Sequence, residues 1–204
     1  MIKMKILELF KGTGSFSKVA KARGHECFTI DIDKQFNPDL VADILTLGIN
    51  EVPFEPDVIW ASPPCTEYSH AKRRGVRDID GANRIVLKTL QLIKELNPKF
   101  WILENPQTGL LKKQEFMKDI LFTDGSYCKY GLPYRKQTRF WNNFNLKLKT
   151  CNKDCEFMIG KKHIGSAGNG RKKYTDKNYK REEKYVVPEE LCLEIIKCCE
   201  NTNI

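Results

Sequence analysis

The sequence predicts an α/β fold with a mostly parallel sheet and helices on both of its faces. Apolar strand-like runs alternate with helix-like segments over the first half of the chain, and several runs are followed by glycine, aspartate, cysteine or glutamate. The 204 residues are enough to bury one core. Because the carboxyl ends of parallel strands meet at one edge of a sheet, the residues there should line a common crevice.

The first half can be placed element by element. The strand-like runs lie at 5–10, 27–30, 40–42, 58–60 and 100–103. The first run leads through the turn 11–14 into a helix with one apolar face, and we expect Gly24 to end this helix in the left-handed conformation. Asp31 and Asp43 stand at the tips of the second and third runs. An acidic residue about twenty positions beyond a glycine turn is placed to accept hydrogen bonds from ribose hydroxyls.

The second half predicts a long helix, an edge hairpin and a final helix. Apolar residues at helical spacing over 86–96 predict the long helix, which Pro98 ends. Alternating apolar residues over 123–143 predict an antiparallel hairpin at the sheet edge. The final helix opens at Pro188, and its predicted apolar face contains Leu191, Ile195 and Cys198. The expected division is a core at 1–143, a small irregular insertion at 144–184 and a helix at 185–204 that returns to the core.

The charge of the chain indicates a polyanionic partner. The formal net charge is +9, and the segment 161–184 holds nine lysines or arginines against three acidic residues, a net of +6. Tyrosines lie between these charges, as is typical of a surface that binds nucleic acid; a solvated lysine-rich loop is the alternative. A second basic run, expected to contact the nucleic-acid backbone, consists of Lys72, Arg73, Arg74 and Arg77.

Composition also predicts the compartment. No apolar run is long enough to cross a bilayer, and no signal peptide precedes the first strand. We therefore expect no membrane partner and an intracellular protein, cytoplasmic or nuclear, that is not secreted. The eight cysteines are scattered through a chain of ordinary size, so reduced thiols are the expectation.

Part of the insertion has the spacing of soft metal ligands. Cys151 and Cys155 are separated by three residues and are followed by His163, and Cys128 is a further candidate. Incomplete ligand sets are frequent by accident, so we assign no metal ligand here. Ordinary thiols in a small packed loop are the favoured interpretation, and a zinc site is the alternative.

Two short motifs about forty residues apart point to the chemistry. Ser62-Pro63-Pro64-Cys65 follows one buried run and Glu104-Asn105-Pro106 follows another. Each proline ring fixes φ near about −65°, so the sulfur of Cys65 is held on a stiff backbone. A thiol and a carboxyl group that converge on one substrate indicate a thiol-dependent transferase.

Taken in order, these motifs resemble those of the cytosine C5 DNA methyltransferases, in the compact form found in phages and other viruses. The matching residues are Phe10-x-Gly12-x-Gly14, Asp31, Asp43-Ile44, Pro63-Pro64-Cys65, Glu104-Asn105 and the segment 131–139. The resemblance covers 5–141 and the final helix. It implies a Rossmann-like sheet of the S-adenosylmethionine-dependent methyltransferase type.

The resemblance also implies a role for each site residue. Cys65 would add to carbon 6 of cytosine, Glu104 would stabilise the ring through N3 and the exocyclic amine, and Arg139 would be the cation that favours the thiolate. The cofactor would be S-adenosylmethionine. Its implied contacts are Phe10, Gly12, Thr13, Gly14, Asp31, Ile32, Asp43, Ile44 and Pro63.

The chain departs from the family pattern in three places. Lys136 and Gln137 interrupt the arginine motif near Arg139. Thr66 and Glu67 stand where the family often has glutamine and a small or apolar residue, so the contacts around the extruded base should differ. The long target-recognition domain of the family is reduced to 144–184, so sequence reading should be short or weak, or supplied by a partner chain. Arg135 is expected to bind a phosphate or the substrate base.

Three functions remain open on the sequence. The first is methylation of DNA at carbon 5 of cytosine, the second is the same reaction on RNA, and the third is an idle nucleic-acid-binding module. The intact Cys65, Glu104 and glycine turn argue against the third, because an idle module has no physical need for all of them. The oligomeric state and the target sequence are not fixed by these patterns.

Overall fold

The computed structural model describes residues 2–70, 72, 74–166 and 185–201. The strands of this part are β1 (Lys5–Leu9), β2 (Glu26–Asp31), β3 (Leu40–Val41), β4 (Val58–Ala61), β5 (Phe100–Pro106), β6 (Phe122–Ser126), β7 (Tyr134–Arg135), β8 (Gln137–Asn142), β9 (Met158–Ile159), β10 (Lys162–His163) and β11 (Gly165–Ser166). The α-helices are α1 (Ser15–Ala22), α2 (Ile79–Leu96) and α3 (Glu189–Asn201).

Seven strands form one sheet in the order β3-β2-β1-β4-β5-β8-β6. All neighbours pair in parallel except where β8 pairs with β5 and β6, so β8 alone runs against the other strands of this sheet. The predicted α/β class and the mostly parallel sheet are therefore confirmed. The predicted antiparallel pair at the sheet edge is also present, as β6 and β8.

Helices cover both faces of the sheet. On one face, α1 and α3 pack on a cluster that includes Phe16, Trp60 and Ile195. On the other, α2 packs on a cluster that includes Leu92 and Ile59. Strand β4 is buried on both faces and is apolar throughout, and β1 is buried from Ile6 to Leu9 with Glu8 as its one buried polar residue.

Helix ends follow local signals. Gly24 has φ +87°, the left-handed conformation expected after α1. The long helix ends at Leu96, as predicted ahead of Pro98, and Asn97 takes the left-handed C-cap position at φ +45°. In α3 the buried face is formed by Leu191, Cys192, Ile195, Ile196 and Cys199. Cys198, which we expected on that face, lies at its partly exposed margin, because two adjacent positions sit about 100° apart around a helix.

The described part of the insertion begins inside the core. Phe144 and Leu148 pack against the α1–α3 cluster, and the chain then forms the small β9–β10 hairpin. Next, β11 pairs in parallel with β7. The domain boundaries remain predictions. The greater part of the basic segment, 167–184, lies outside the described residues, and so does Arg73.

No α-helix in the described ranges is both long enough and apolar enough to span a membrane.

Candidate active site

A cavity of about 440 Å³ opens at the carboxyl ends of β1, β2, β4 and β5. Side chains from all four strand ends reach it, as expected where parallel strands end at one sheet edge. Of the predicted catalytic residues, Cys65 and Glu104 line it. Of the predicted cofactor residues, those that line it are Phe10, Gly12, Thr13, Asp31, Ile32 and Pro63.

The glycine turn is fixed by the aspartate at the end of β2. The backbone amide of Gly12 donates to Asp31 Oδ2 at 2.8 Å, and the amide of Asp33 donates to Asp31 Oδ1 at 2.9 Å. Phe10 has φ +59°, a conformation that is strained for a residue with a side chain. One carboxylate therefore joins the turns after β1 and β2 and sets the shape of the cavity wall.

The Cys65 loop is tied to the neighbouring strand. Asn105 on β5 donates from Nδ2 to the carbonyl of Pro63 at 3.0 Å, which links the two motifs found in the sequence. Cys65 itself is partly exposed to the cavity. Burial raises the pKa of the Cys65 thiol, the charge of Glu104 raises it further, and the charge of Lys136 lowers it. Lys136 is thus the cation that favours the thiolate.

Glu104 is buried and held by two partners. Tyr127 donates a hydrogen bond from its hydroxyl to Glu104 Oε1 at 3.1 Å, and Lys136 Nζ lies 3.9 Å from the same oxygen. The ammonium of Lys136 also lies 4.4 Å from the centre of the Tyr127 ring. Burial raises the pKa of Tyr127 well above its ordinary value, so this phenol remains a donor. The cavity therefore holds a thiol, a carboxyl group and an ammonium group together.

Arg139, the expected cation, is engaged elsewhere. Its guanidinium donates to both carboxylate oxygens of Asp124, from Nε at 2.7 Å and from Nη2 at 2.9 Å. It also lies 3.5 Å from the centre of the Phe122 ring. Among the described residues that line the cavity, the cations are Lys11 and Lys136, and Arg139 is absent. The geometry gives the position beside Cys65 and Glu104 to Lys136.

Three of the expected cofactor residues do not line this cavity, judged on the residues that the structure describes: Gly14, Asp43 and Ile44. Gly14 instead caps α1 at φ +65°. Asp43 accepts a hydrogen bond from the amide of Leu45 at 2.9 Å and thereby closes a turn. Ile44 is buried in the cluster beneath α2.

Comparisons with known proteins agree with this geometry. Residues 4–124 match the family model of the C-5 cytosine-specific DNA methylases. The chain belongs to that family. A protein of frog virus 3 (isolate Goorha), named as a probable DNA (cytosine-5)-methyltransferase, is 31% identical over 96% of this chain and all of its own length. The type II methyltransferase M.DdeI of Desulfomicrobium norvegicum is 28% identical over 68% of this chain, which spans only 40% of that enzyme.

Solved structures show the same fold. The methyltransferase EhMeth of Entamoeba histolytica superposes with a TM-score of 0.54 at 17% identity, over 72% of this chain and 54% of its own. The Dnmt2 methyltransferase of S. pombe gives a TM-score of 0.50 at 16% identity, over 72% of this chain and 52% of its own. The matched region spans about half the length of each of these two proteins.

Within this methylase cavity, two side chains were not foreseen as site residues. Glu8 on β1 lines the wall and is only 2% exposed, and burial raises its pKa to about 7. It accepts a hydrogen bond from the amide of Ser17 at 3.1 Å, which ties the start of α1 to β1. The hydroxyl of Ser62 also lines the cavity, is buried, and has no partner among the described residues. It is available to a ligand.

Two side chains of the basic run that follows Cys65, Lys72 and Arg77, are held by contacts within their own loop. Lys72 Nζ binds the carboxylate of Glu67 at 2.6 Å. Arg77 donates to the carbonyl oxygens of Glu67, Ser69 and Lys72. These bonds hold the loop that follows Cys65 in one shape. Glu67 lies at the centre of the loop, because both Lys72 and Arg77 bind it. The expected contact of this run with a nucleic-acid backbone remains a prediction.

Lys136 was not among the predicted site residues, because the sequence alone did not fix the register of the hairpin. In an extended strand successive side chains point to opposite faces, so Arg139 and Lys136 cannot both face Cys65 from β8 and its approach. The register pairs Asp124 directly with Arg139 across the predicted hairpin, and opposite charges in such a position favour each other. An exact hairpin register was the missing piece of information.

Proposed function

We propose that this C-5 methylase transfers a methyl group from S-adenosylmethionine to carbon 5 of cytosine in DNA through a covalent bond to Cys65. The observation that carries the proposal is the meeting of Cys65, Glu104 and Lys136 with the glycine turn in one cavity. Each group supplies something that the reaction needs and that the others lack.

Carbon 5 of cytosine is a poor nucleophile until the ring is activated. The Cys65 thiolate adds to carbon 6, the double bond between carbons 5 and 6 opens, and its electrons become available at carbon 5. Only the thiolate adds to the ring. Burial raises the pKa of Cys65 and so favours the protonated thiol. The ammonium of Lys136 opposes that effect. We therefore assign to Lys136 the role that the family resemblance gave to Arg139.

Glu104 is placed to act on the ring that Cys65 attacks. Negative charge moves toward N3 as the carbon–sulfur bond forms, and a carboxyl group that donates a proton or a hydrogen bond there stabilises it. Tyr127 and Lys136 hold one oxygen of Glu104, so the other is left to face the base. After methylation, loss of the proton on carbon 5 and departure of the Cys65 sulfur restore the double bond.

The cavity fits the proposed cofactor in size and polarity. Its volume lies in the usual range for small-molecule sites, roughly 300 to 1,000 Å³. Phe10 and Ile32 give it apolar wall, Asp31 gives a carboxylate for ribose hydroxyls, and the hydroxyl of Ser62 lacks a partner in the described residues. When bound, S-adenosylmethionine supplies an electrophilic methyl group.

The names of the family and of its relatives favour DNA over RNA as the substrate, while the charge of the chain and the need to expose the base suit either polymer. The family and both named sequence relatives carry DNA or type II methyltransferase names. The chain has a net charge of +9. A cytosine must leave the stack to reach Cys65, and contacts to the backbone offset that cost of a few kcal/mol. We expect the protein to work where DNA is accessible, in the cytoplasm or the nucleus.

The proposal is tested by trapping the covalent intermediate. Fluorine at carbon 5 cannot leave as a proton does, so 5-fluorocytosine DNA should accumulate as an adduct with the wild-type chain in the presence of cofactor. The same experiment on RNA of equal sequence separates the two polymers. Adduct on RNA but not on DNA would overturn the choice of substrate, and adduct that survives Cys65→Ser would overturn the assignment of the nucleophile.

A further inference from the structure

A second cluster of reactive side chains lies outside the cavity. The ligand atoms of Cys128, Cys151, Cys155 and His163 all lie within 4.8 Å of one another. Cys151 Sγ is 3.3 Å from His163 Nε2. Cys128 and Cys151 are buried, and Cys155 and His163 are partly buried. The structure thus brings together all four residues that the sequence offered as a less favoured zinc alternative.

We propose that these four side chains bind one zinc ion, which anchors the segment 151–166 to the methylase core. This site is separate from the cavity, so it does not depend on the proposed function.

The geometry fits a tetrahedral ion. With zinc–sulfur bonds of about 2.3 Å and zinc–nitrogen bonds of about 2.0 Å, neighbouring ligand atoms lie ~3.5 to 3.8 Å apart. The separation of Cys151 Sγ from His163 Nε2, 3.3 Å, is close to these values and none of the others exceeds 4.8 Å, so small side-chain shifts would complete the tetrahedron. Three sulfurs and one imidazole nitrogen are a typical set for structural zinc, and they leave no position open for catalysis.

The backbone holds the first three ligands in place without a metal. Cys128 lies in the 3₁₀ turn Tyr127–Tyr130 that follows β6. The amide of Cys151 donates to Ser126 Oγ at 3.0 Å, which brings the insertion back to that turn. Between Cys151 and Cys155 the chain makes a tight turn in which Lys153 has φ +67°.

The turn between Cys151 and Cys155 also places hydrogen-bond donors around the sulfur of Cys151. The backbone amides of Lys153 and Asp154 hydrogen-bond to Cys151, an arrangement that stabilises a metal-bound thiolate. Asp154 also pairs with Lys129, the residue after Cys128, at 2.9 Å. The β9–β10 hairpin, which turns at Gly160 with φ +58°, then returns His163 to the cluster.

This segment has little else to hold it. Most residues of 152–162 are exposed, and Phe157 and Met158 are only partly buried. A piece of chain this small cannot bury enough apolar surface for its own stability, and a metal is a common solution. Its far end pairs with β7, where the amide of Gly165 donates to the carbonyl of Pro133 at 3.1 Å. A metal here would therefore brace the strand that leads into Lys136.

The test measures metal directly on the full-length chain. Protein purified under reducing conditions without chelator should contain about one zinc per chain by elemental analysis. Cys155→Ser and His163→Asn should reduce the content to background, and Cys198→Ser, a partly buried cysteine on α3, should retain it. Wild-type protein that contains no zinc, and takes up neither added Zn²⁺ nor added Co²⁺, would overturn the proposal.

A second measurement keeps the proposal testable if the variants do not fold. Co²⁺ added to metal-depleted wild-type protein should give the intense absorption of thiolate bound to tetrahedral cobalt. Zinc should protect Cys128, Cys151 and Cys155 from alkylation until chelator is added, while Cys198 responds equally with and without metal. A disulfide among the three protected cysteines, found by mass spectrometry under the same reducing conditions, would contradict the metal site. None of these readouts depends on methyl transfer.

Discussion

Cys65 and Cys151 are both thiols on short loops, but they have different neighbours. Cys65 faces a cavity in which the carboxyl group of Glu104 and the ammonium group of Lys136 both act on its thiol. Cys151 lies among two further sulfurs and an imidazole, away from that cavity. A sulfur beside opposite charges is suited to adding to a substrate and leaving again, whereas a sulfur among other soft donors is suited to holding a metal.

The contrast shows that distant residues decide the chemistry of a thiol. Both cysteines are followed by polar residues in the sequence, and no local feature identifies Lys136 as a partner of Cys65 or fixes Cys128 as a partner of Cys151. The partners arrive through the sheet. The register of β5 and β8 brings Lys136 toward Cys65, and the turn after β6 brings Cys128 to Cys151.

The largest expected effect separates the two thiols. Cys65→Ser should lower methyl transfer to DNA by more than about 10³-fold, because a hydroxyl replaces the only sulfur that lines the cavity among the described residues. Single-turnover transfer of a labelled methyl group measures this loss, and zinc content should not change.

The matched control is Cys27→Ser. This thiol is partly buried on β2, outside the cavity, and burial raises its pKa to about 12, so it is an unreactive cysteine in the same domain. Its variant should retain methyl transfer. Equal loss in both variants would mean that the cysteines act through folding and not through chemistry.

The next effect compares Lys136 with Arg139. Lys136→Ala removes the charge that lowers the pKa of Cys65, so this pKa rises and the thiolate fraction falls at neutral pH. The single-turnover rate should fall by about ten- to a hundredfold, and its pH profile should move to higher pH. Lys136→Arg should restore most of the rate.

Arg139→Ala should behave differently, because its partner is Asp124 and not the cavity. We expect a lower melting temperature and an unmoved pH profile. A profile that shifts in Arg139→Ala but not in Lys136→Ala would return the catalytic role to Arg139, as the family resemblance implied.

The sequence was a good guide wherever one local signal determined the outcome. Apolar runs marked the buried strands, Gly24 ended α1, and Asp31, Cys65 and Glu104 stood at strand ends that the fold brings to one edge. It was a weaker guide wherever a pairing register or a long connection decided. Arg139 faces Asp124 only because of one particular alignment of β6 with β8.

The metal cluster shows the same limit. Its four ligands come from a turn in the core, a tight turn in the insertion and a hairpin strand. From spacing alone, Cys128 was only a possible fourth ligand. No local sequence feature indicates that the chain returns to Ser126 after β8. The hydrogen bond from Cys151 to Ser126 supplies that information, and it belongs to the fold and not to any single motif.

A smaller effect concerns the two aspartates at strand tips. Asp31→Ala should weaken S-adenosylmethionine binding by about tenfold or more, because a charge-assisted hydrogen bond is worth about 1.5 to 3 kcal/mol. Asp43→Asn should have little effect, since Asp43 closes its own turn and does not line the cavity among the described residues. Calorimetry measures both. Weaker binding in Asp43→Asn alone would place the cofactor where the family resemblance expects it and not in the cavity as we describe it.

The smallest expected effect is on stability, and it tests the buried carboxyl group behind the site. The pKa of Glu8 is about 7 in the fold, against an ordinary value of 4.5, so the folded chain holds a proton there that the unfolded chain has released. Stability should therefore fall as pH rises from 4.5 to 7 and stay at the lower level above it, a loss of up to about 3 kcal/mol. Glu8→Gln keeps an acceptor for the amide of Ser17 and removes the titration.

The melting temperatures of Glu8→Gln and wild type should therefore be similar near pH 5 and diverge toward pH 7, with the variant up to about 10 °C higher. Glu26→Gln, which changes an exposed carboxyl group on β2, should show no such divergence. Glu8 accepts a hydrogen bond from the amide of Ser17 and also lines the cavity. If Glu8→Gln is more stable than wild type but binds the cofactor less well, the methylase keeps a destabilising carboxyl group because its ligand needs it. A variant whose melting temperature follows the wild type at every pH would show instead that Glu8 does not carry the buried proton.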